Sequence, residues 1–197
     1  LRSNPGGLLT SAVGVADTFL NSGGIVSTKG RLPDANLNFD AHPGDLLNGA
    51  PMVLLVDNGT ASAAEIVSGA LKDNHRALIM GRRTFGKGVV QTVLPLDQDH
   101  AVKITTARYY TPNGTSIQAE GIKPDIALAD LAVSKGDTAP SLIGSEADLR
   151  NHLANEKADA DGAKTTSDDD GKLALEDYAL SQVLNVDRKS TRLNSIT

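Results

Sequence analysis

The sequence predicts a mixed α/β domain, on the grounds of its composition, one apolar strand pattern and two helical patterns. Hydrophobic residues make up 40% of the 197 residues and charged residues 22%, which is enough to bury one substantial core. Only 3% are aromatic and none is Trp, so that core must be built from Val, Ile, Leu and Ala. Residues 51–56 (PMVLLV) are continuously apolar, as in a strand buried in a parallel sheet.

The first helical pattern covers residues 8–20, where apolar residues recur every three or four positions until Gly23 and Gly24 end it. Residues 25–26 then start a short strand. The polar stretch 31–48 has no sustained periodicity, which predicts a loop or a lid.

The second helical pattern follows the predicted strand at residues 51–56. Thr60 is the expected cap of this helix, which we expect to end near Asp73. The pattern predicts a buried side with Ala64, Val67, Ala70 and Leu71, and a more exposed side with Glu65, Ser68 and Lys72.

Three further strands are predicted at residues 77–80, 88–94 and 100–110, separated by a glycine-arginine segment and by a polar turn. Strands mixed with helices indicate an α/β sheet with some antiparallel pairing.

The C-terminal third of the chain differs from the rest in composition. Residues 134–172 are small, acidic and low in complexity, which predicts a linker. Residues 173–186 regain a helical pattern and predict a C-terminal helix that docks. Residues 187–197 are basic and polar, and 187–195 resemble one translation frame of a common sequencing-adapter oligonucleotide, so we expect this tail to be non-native.

Several classes of partner are excluded by composition. The net charge is −5 and no Lys/Arg cluster is interleaved with aromatics, so we expect no nucleic-acid partner. The absence of Cys removes thiol catalysis and disulfides, and no cofactor or metal motif is present. No apolar run approaches the roughly 18 residues of a membrane helix, so we expect no integral membrane segment. The chain opens on a loop motif without Met, which we interpret as a fragment whose beginning is lost.

A glycine-rich motif from Gly81 to Lys87 matches the opening of a phosphate-binding G-x4-G-K loop. The next residue is Gly88 rather than Ser or Thr, and a strand pattern follows. Because such a loop needs a helix N-terminus to hold phosphates, the context does not favour nucleotide binding.

The segment GTASAAE places Ser62 where a buried strand meets the first turn of a helix. Free N–H groups and the positive end of the helix dipole favour an oxyanion there, and the N–H of Ala63 is the natural donor. A serine at this position is also a common plain helix cap, so both interpretations stay open at this point.

A serine nucleophile needs a base. Four histidines lie in polar surroundings without a triad signature, namely His42, His75, His100 and His152. Neither G-x-S-x-G nor S-x-x-K is present around Ser62. Lys87 remains, between two glycines beside an apolar strand, where burial would lower the pKa of a lysine. The alternative is a surface lysine in a glycine turn.

The segment NPGG before the first predicted helix is a second place where backbone N–H groups can approach a ligand closely. A second oxyanion donor would come from Gly6 or Gly7. The alternative is a simple turn at the start of a helix.

Four blocks in order, RSNPGGLL, LVDNGTASAAEIVSGAL, GRRTFGKGVVQ and ARYYTPNGTSIQAEGIKPD, resemble the signature blocks of the carboxy-terminal processing (tail-specific) peptidases over residues 1–125. The resemblance implies that Ser62 is the nucleophile, that Lys87 is its general base and that Gln91 orients the lysine. It also implies a crotonase/ClpP-like catalytic core with a mixed sheet, spanning residues 1–133, and a PDZ domain and leader that this chain lacks.

The activity implied by the resemblance is a serine endopeptidase that cleaves proteins near their C-terminus through an acyl-enzyme. The implied partners are proteins or peptides with apolar C-terminal tails, and the implied location is the periplasm or cell envelope of a bacterium. The alternative is a binding module of the same fold that captures peptide tails without cutting them. The sequence leaves the oligomeric state open.

Overall fold

The structure, a computed structural model, describes residues 1–128, 173 and 176–194. The chain divides into two compact units, Leu1–Ala129 and Asp130–Thr197. The linker expected at residues 134–172 lies outside the described residues.

The described part of the first unit contains two α-helices, seven strands and one 3-10 helix. In chain order these are α1 (Leu9–Asp17), β1 (Gly24–Gly30), the 3-10 helix Pro33–Ala35, β2 (Asn38–Asp40), β3 (Val53–Val56), α2 (Ala63–Asp73), β4 (Leu78–Gly81), β5 (Val89–Pro95), β6 (Ala101–Tyr110) and β7 (Ile126–Ala127). The second unit contributes α3 (Tyr178–Asn194).

The strands form two sheets. One is antiparallel with the order β2-β1-β6-β5, and the other is parallel with the order β3-β4-β7. The parallel strand predicted at residues 51–56 is confirmed as β3. Among the described residues the two kinds of pairing lie in separate sheets rather than in the single mixed sheet that we expected.

Helix α2 is the centre of the first unit and packs against α1, β1 and β4. Every residue from Ala63 to Leu71 is buried. The core around it draws on both helices and on both sheets, with Ala12, Ala16, Val26, Val56, Ile66, Leu71 and Ile79 among its members. A helix packed on all sides fixes the position of its own first turn, where Ser62 lies.

Two polar residues of α2 contradict the predicted amphipathic pattern. Glu65 and Ser68, both expected to be exposed, have no exposed surface. The Ser68 hydroxyl donates to the Ala64 carbonyl at 2.8 Å, and the Glu65 carboxylate accepts hydrogen bonds that are described below. Polar side chains can occupy core positions when their hydrogen bonds are satisfied, and a hydropathy pattern does not reveal such partners.

The predicted cap of α2 is also wrong. The helix begins after Ser62, and Thr60 is fully buried in the preceding turn. The Thr60 hydroxyl accepts from the N–H of Asp57 at 3.0 Å and donates to the carbonyl of Leu1 at 2.9 Å. This hydroxyl therefore joins the start of the chain to the turn after β3 and is not used by the helix.

The stretch 31–48 contains regular structure where a loop or lid was predicted. It holds the 3-10 helix and β2, and β2 pairs with β1. The Thr28 hydroxyl donates to the Ala35 carbonyl at 2.7 Å, and the carboxylate of Asp45 pairs with the Arg76 guanidinium at 2.9 Å. Both halves of the stretch are thus fastened to the core, which a mobile lid would not be.

Helices α1 and α3 end at residues other than the predicted ones. Helix α1 stops at Asp17 because Phe19 and Leu20 donate to carbonyls three residues earlier, which tightens the last turn. Helix α3 continues to Asn194, beyond the end predicted at residue 186. The strands predicted at 77–80, 88–94 and 100–110 are confirmed as β4, β5 and β6.

Candidate active site

Ser62 lies where the turn after β3 meets the first residue of α2. Its backbone has φ 54° and ψ −119°, a conformation that residues with a side chain rarely adopt. Its side chain is half-buried. Strain of this kind costs on the order of 1–3 kcal/mol and persists where neighbouring contacts enforce it, often at functional sites.

The carboxylate of Glu65 supplies such contacts. Its Oε2 accepts from the N–H of Ser62 at 2.7 Å. Its Oε1 accepts from the Thr84 hydroxyl at 2.6 Å and from the N–H of Gly86 at 2.7 Å. Hydrogen bonds to a charged acceptor are stronger than neutral ones, so this fully buried carboxylate is a rigid junction between two segments of the chain.

The same carboxylate holds the backbone of Lys87. The N–H of Lys87 donates to Glu65 Oε2 at 2.8 Å, the oxygen that the N–H of Ser62 also contacts. Two nitrogens bound to one oxygen atom are close neighbours. The structure therefore brings together the backbones of the two residues that the sequence predicts as nucleophile and base.

The side chain of Lys87 is exposed, whereas the two flanking glycines and the apolar strand predict close packing that would remove its water. Burial alternates along this segment: Thr84, Gly86 and Gly88 are buried, and Phe85 and Lys87 point outward. Phe85 is 69% exposed. The inward positions Thr84 and Gly86 contact Glu65, and the side chain of Lys87 lies on the solvent side of the described residues.

The G-x4-G-K segment leads directly into β5, which begins at Val89. A phosphate-binding loop leads into a helix whose N-terminal N–H groups hold the phosphates. This arrangement does not favour nucleotide binding, as the sequence indicates.

Gln91 lies on β5 and is exposed. The register between β5 and β6 shifts between Val90, opposite Ala107, and Gln91, opposite Thr105. Lys87 precedes the strand, and within residues 1–128 no hydrogen bond joins Lys87 to Gln91. The structure thus places Gln91 close to Lys87 in the chain without pairing the two side chains.

The segment from Asn4 to Gly7 packs directly against the loop that carries Ser62. Gly6 has φ +88°, and a Cβ atom there would lie 2.6 Å from the carbonyl of Ala61 and 2.6 Å from the nitrogen of Ala63. The N–H of Gly6 already donates to Asn4 Oδ1 at 2.9 Å. The N–H of Gly7 has no such partner within residues 1–128, which favours Gly7 over Gly6 as a donor.

The N–H of Ala63 belongs to the first turn of α2, where a helix leaves its N–H groups without internal partners. Together with Gly7, it borders an open cavity of about 250 Å³ between α1 and α2. The cavity walls are mainly apolar and include Leu8, Ala12, Val15, Ala64 and Val67. A small apolar side chain fits such a space.

The turn before Ser62 is organised by Asp57. Burial raises the pKa of this carboxyl, but hydrogen bonds from the N–H groups of Ser3 and Gly59 and from the hydroxyls of Ser3 and Thr60 outweigh it. The pKa of Asp57 therefore lies below its usual value. The start of the chain and the turn after β3 share one ionised carboxylate.

The described histidines lie away from Ser62. His42 pairs with Asp17 and His100 with Asp97, both on the surface, and His75 is exposed. His152 lies outside the described residues. Within the ranges that the structure describes, no group of three His, Asp or Glu side chains is arranged to hold a metal ion. In the same ranges no helix is long and apolar enough to cross a membrane.

Sequence reasoning missed the role of Glu65, although a signal was present. Ser62 and Glu65 form the S-x-x-E spacing in which a glutamate reaches back to the N-cap backbone. The same spacing differs from S-x-x-K only in its last residue, which draws attention away from the capping role of the glutamate. The cavity also has a sequence signal, since small residues such as Ala12 and Ala64 face each other from two helices and leave space between them.

Acyl transfer needs a nucleophile, a base and oxyanion donors around one point. Ser62, Lys87 and the N–H groups of Ala63 and Gly7 are the candidates for these roles, so the site is a candidate serine-hydrolase site. The chain belongs to Peptidase family S41, whose sequence profile matches residues 1–128.

Relatives of known sequence and structure agree with this assignment. The carboxy-terminal-processing protease of Bartonella bacilliformis is 48% identical over 163 residues, which cover 83% of this chain and 37% of that protein. The chloroplastic C-terminal processing peptidase of Tetradesmus obliquus is 40% identical and covers 73% of this chain and 33% of that protein. The solved structure of a photosystem II D1 C-terminal processing protease is 41% identical with a TM-score of 0.59, over 64% of this chain and 33% of that one. The chain thus spans about a third of the length of these relatives.

Proposed function

We propose that this chain is the catalytic core of a serine endopeptidase that cleaves proteins near their C-terminus, with Ser62 as nucleophile and Lys87 as general base. The observation that carries the proposal is the single carboxylate oxygen of Glu65 that accepts from the backbone N–H groups of both residues. A nucleophile and a base must be held within hydrogen-bond reach of each other, and a shared buried anchor supports that geometry.

The reaction proceeds in two halves. The neutral amine of Lys87 takes the proton of the Ser62 hydroxyl, and the oxygen forms a bond to the peptide carbonyl carbon while the carbonyl electrons move to its oxygen. The N–H groups of Ala63 and Gly7 stabilise that oxyanion. The intermediate then collapses, the C–N bond breaks, and the Lys87 ammonium returns the proton to the leaving amine.

The acyl-enzyme is then hydrolysed by water, with Lys87 again accepting a proton and Ser62 leaving as the hydroxyl. Lysine in water is cationic at neutral pH, so its use as a base requires a drier environment. We expect bound substrate to cover the exposed side chain of Lys87 during the reaction. Gln91 would orient the lysine once it is covered.

The apolar cavity beside Ala63 and Gly7 supports a substrate with an apolar residue at the cleaved position. Its volume of about 250 Å³ and its Leu, Val and Ala walls suit a small aliphatic side chain. The proposed substrates are therefore proteins or peptides with apolar C-terminal tails.

Family membership supports a crotonase/ClpP-like core at residues 1–133, and composition supports a linker at 134–172. The similarity to a bacterial carboxy-terminal-processing protease supports a location in the periplasm or cell envelope.

A second candidate function is a module that binds peptide tails without cutting them. The observation that favours it is the exposed side chain of Lys87, since a lysine in open water is a poor base.

The test follows cleavage of an unstructured protein with an apolar C-terminal tail, by the 197-residue chain alone and fused behind the upstream part of the Bartonella bacilliformis relative. We expect Ser62→Ala and Lys87→Ala to abolish cleavage, by at least about a thousandfold. Gln91→Ala should reduce it by roughly tenfold. The matched controls are Ser22→Ala and Lys103→Ala, which remove exposed side chains elsewhere.

The outcomes separate the two functions. Cleavage by Ser62→Ala at the parental rate would show that the nucleophile is misassigned. Binding of the tail by a folded parent that cuts in neither context would favour the peptide-binding module.

A further inference from the structure

The segment Ile117–Ile122 packs against the residues on both sides of Lys87. The N–H of Ala119 donates to the carbonyl of Gly86 at 2.8 Å, and the N–H of Gly88 donates to Gln118 Oε1 at 3.0 Å. A Cβ atom at Gly88 would lie 2.3 Å from the backbone nitrogen of Gln118. The lysine segment is therefore held by a second part of the chain in addition to Glu65.

Three successive N–H groups of this segment donate to side-chain oxygens. Those of Gly86 and Lys87 donate to the Glu65 carboxylate, and that of Gly88 donates to the Gln118 amide. Glu65 fixes the backbone up to the nitrogen of Lys87. Gln118 fixes the peptide group that follows, which consists of the Lys87 carbonyl and the Gly88 N–H.

The orientation of the Gln118 amide follows from its partner. A backbone N–H can only donate, so the atom facing Gly88 must be the carbonyl oxygen of the amide. Gly88 is buried, and its N–H would lack a partner if this oxygen were removed. Rotation of the peptide group between Lys87 and Gly88 would let this N–H find another partner. The same rotation would change the direction of the lysine side chain.

The backbone of Gln118 is itself firmly placed. Ile117 is 1% exposed in the core, and the N–H of Ile122 donates to the Thr84 hydroxyl at 2.7 Å. Ala119 has φ 62°, a strained conformation that persists only where neighbours impose it. A side chain on such a segment can act as a fixed support.

We propose that Gln118 is a positioning residue for Lys87, which fixes the peptide after the lysine so that its amine reaches the Ser62 hydroxyl. This inference rests on the proposed function. Gln118 does not touch the reacting atoms in this account, because it acts through the backbone of Gly88.

The test measures kcat, KM and the pH dependence of cleavage by the 197-residue chain, or by its fusion to the upstream part of the Bartonella bacilliformis relative where only the fusion cuts. Three variants are measured in the same form. Gln118→Met keeps the length of the side chain and removes the acceptor. Gln118→Glu keeps an acceptor and adds a negative charge. Gln98→Met makes the first change in the exposed turn between β5 and β6 and is the matched control.

We expect Gln118→Met to lower kcat by about ten- to hundredfold with KM within about twofold, because misplacement of a catalytic group slows chemistry more than binding. Gln98→Met should match the parent. Gln118→Glu should recover most of kcat at high pH, with the acidic limb of the profile moved upward by about half a pH unit, since a carboxylate favours the charged lysine.

The positioning role is overturned if folded Gln118→Met retains the kcat and pH profile of the parent. If that variant does not fold, Gln118→Glu decides: a high kcat with an unshifted acidic limb overturns the role, and the shifted limb supports it. A parent that cuts neither alone nor in the fusion would contradict the proposed function itself, and the inference would fall with it.

Discussion

The turn around Ser62 is held by hydrogen bonds to a buried side chain, whereas the hairpin of β5 and β6 is open to solvent. In the turn, one buried carboxylate binds Ser62, Thr84, Gly86 and Lys87. In the hairpin, both faces are open to solvent from residue 91 to residue 106. Large apolar side chains are exposed there, namely Val93, Leu94, Leu96, Val102 and Ile104.

This contrast separates two requirements of a lysine base. The position of the lysine backbone is set inside the first unit by hydrogen bonds that Lys87 and Gly88 donate to Glu65 and Gln118. The dryness that lets a lysine lose its proton is absent at the exposed side chain of Lys87. The described residues therefore fix the backbone position of Lys87, whereas the environment of its side chain depends on bound substrate.

The largest effect is expected for Glu65→Ala, which removes the carboxylate that holds the turn around Ser62. This change leaves three backbone N–H groups and one hydroxyl without their acceptor in a buried site, so we expect a loss of at least about 3 kcal/mol in the free energy of unfolding. Cleavage should fall by about a hundredfold or more. Urea unfolding and a cleavage assay measure the two effects.

The control for this prediction is Glu120→Ala, which removes an exposed carboxylate. If Glu65→Ala lowers the free energy of unfolding by no more than Glu120→Ala does, the Glu65 carboxylate does not hold the turn around Ser62 and the Lys87 segment together.

A smaller effect is expected at the apolar cavity between α1 and α2. Val15 lines this cavity and is 47% exposed, so Val15→Phe can fill the space without disturbing the core. We expect the ratio of cleavage after Leu to cleavage after Ala to fall by about tenfold. Val102→Phe on the hairpin is the control, and an equal ratio in both variants would place the substrate side chain elsewhere.

The smallest expected effect concerns the turn before Ser62. Asp57 has a lower pKa in the folded chain than its usual value, so the folded chain binds fewer protons. The resulting stability is present above about pH 4 and is lost as pH falls through the lowered pKa. We expect Asp57→Asn to remove this acid dependence, with a change on the order of 1 kcal/mol.

Urea midpoints between pH 3 and pH 6 measure this dependence, with Asp99→Asn in the exposed turn as control. A parent and an Asp57→Asn variant with parallel pH profiles would show that the turn is not held by this carboxylate.

Much of the fold could be predicted because apolar periodicity is local. The strand at residues 51–56 and the helix that follows it were recognisable from their own residues, and so was the placement of Ser62 between them. Tertiary partners were not recognisable in this way. Glu65 reads as a solvent-facing helix residue, and only contacts from a segment about twenty residues later make it a core residue.

The same limit applies to the surroundings of Lys87. Two glycines beside an apolar strand suggested close packing, but the glycines themselves take the inward positions and the lysine points outward. The supporting contact from Gln118 joins residues 30 positions apart, and no spacing rule indicates it. Local patterns thus located the site, whereas its hydrogen bonds required the structure.

The most direct test of the account identifies the residue that a fluorophosphonate modifies in the 197-residue chain. Mass spectrometry of the labelled peptide should find Ser62, and labelling should be at least about a hundredfold slower in Lys87→Ala than in the parent, with Lys103→Ala unchanged. Modification of another residue, or equal labelling rates in Lys87→Ala and the parent, would contradict the assignment of Ser62 and Lys87 as a catalytic pair.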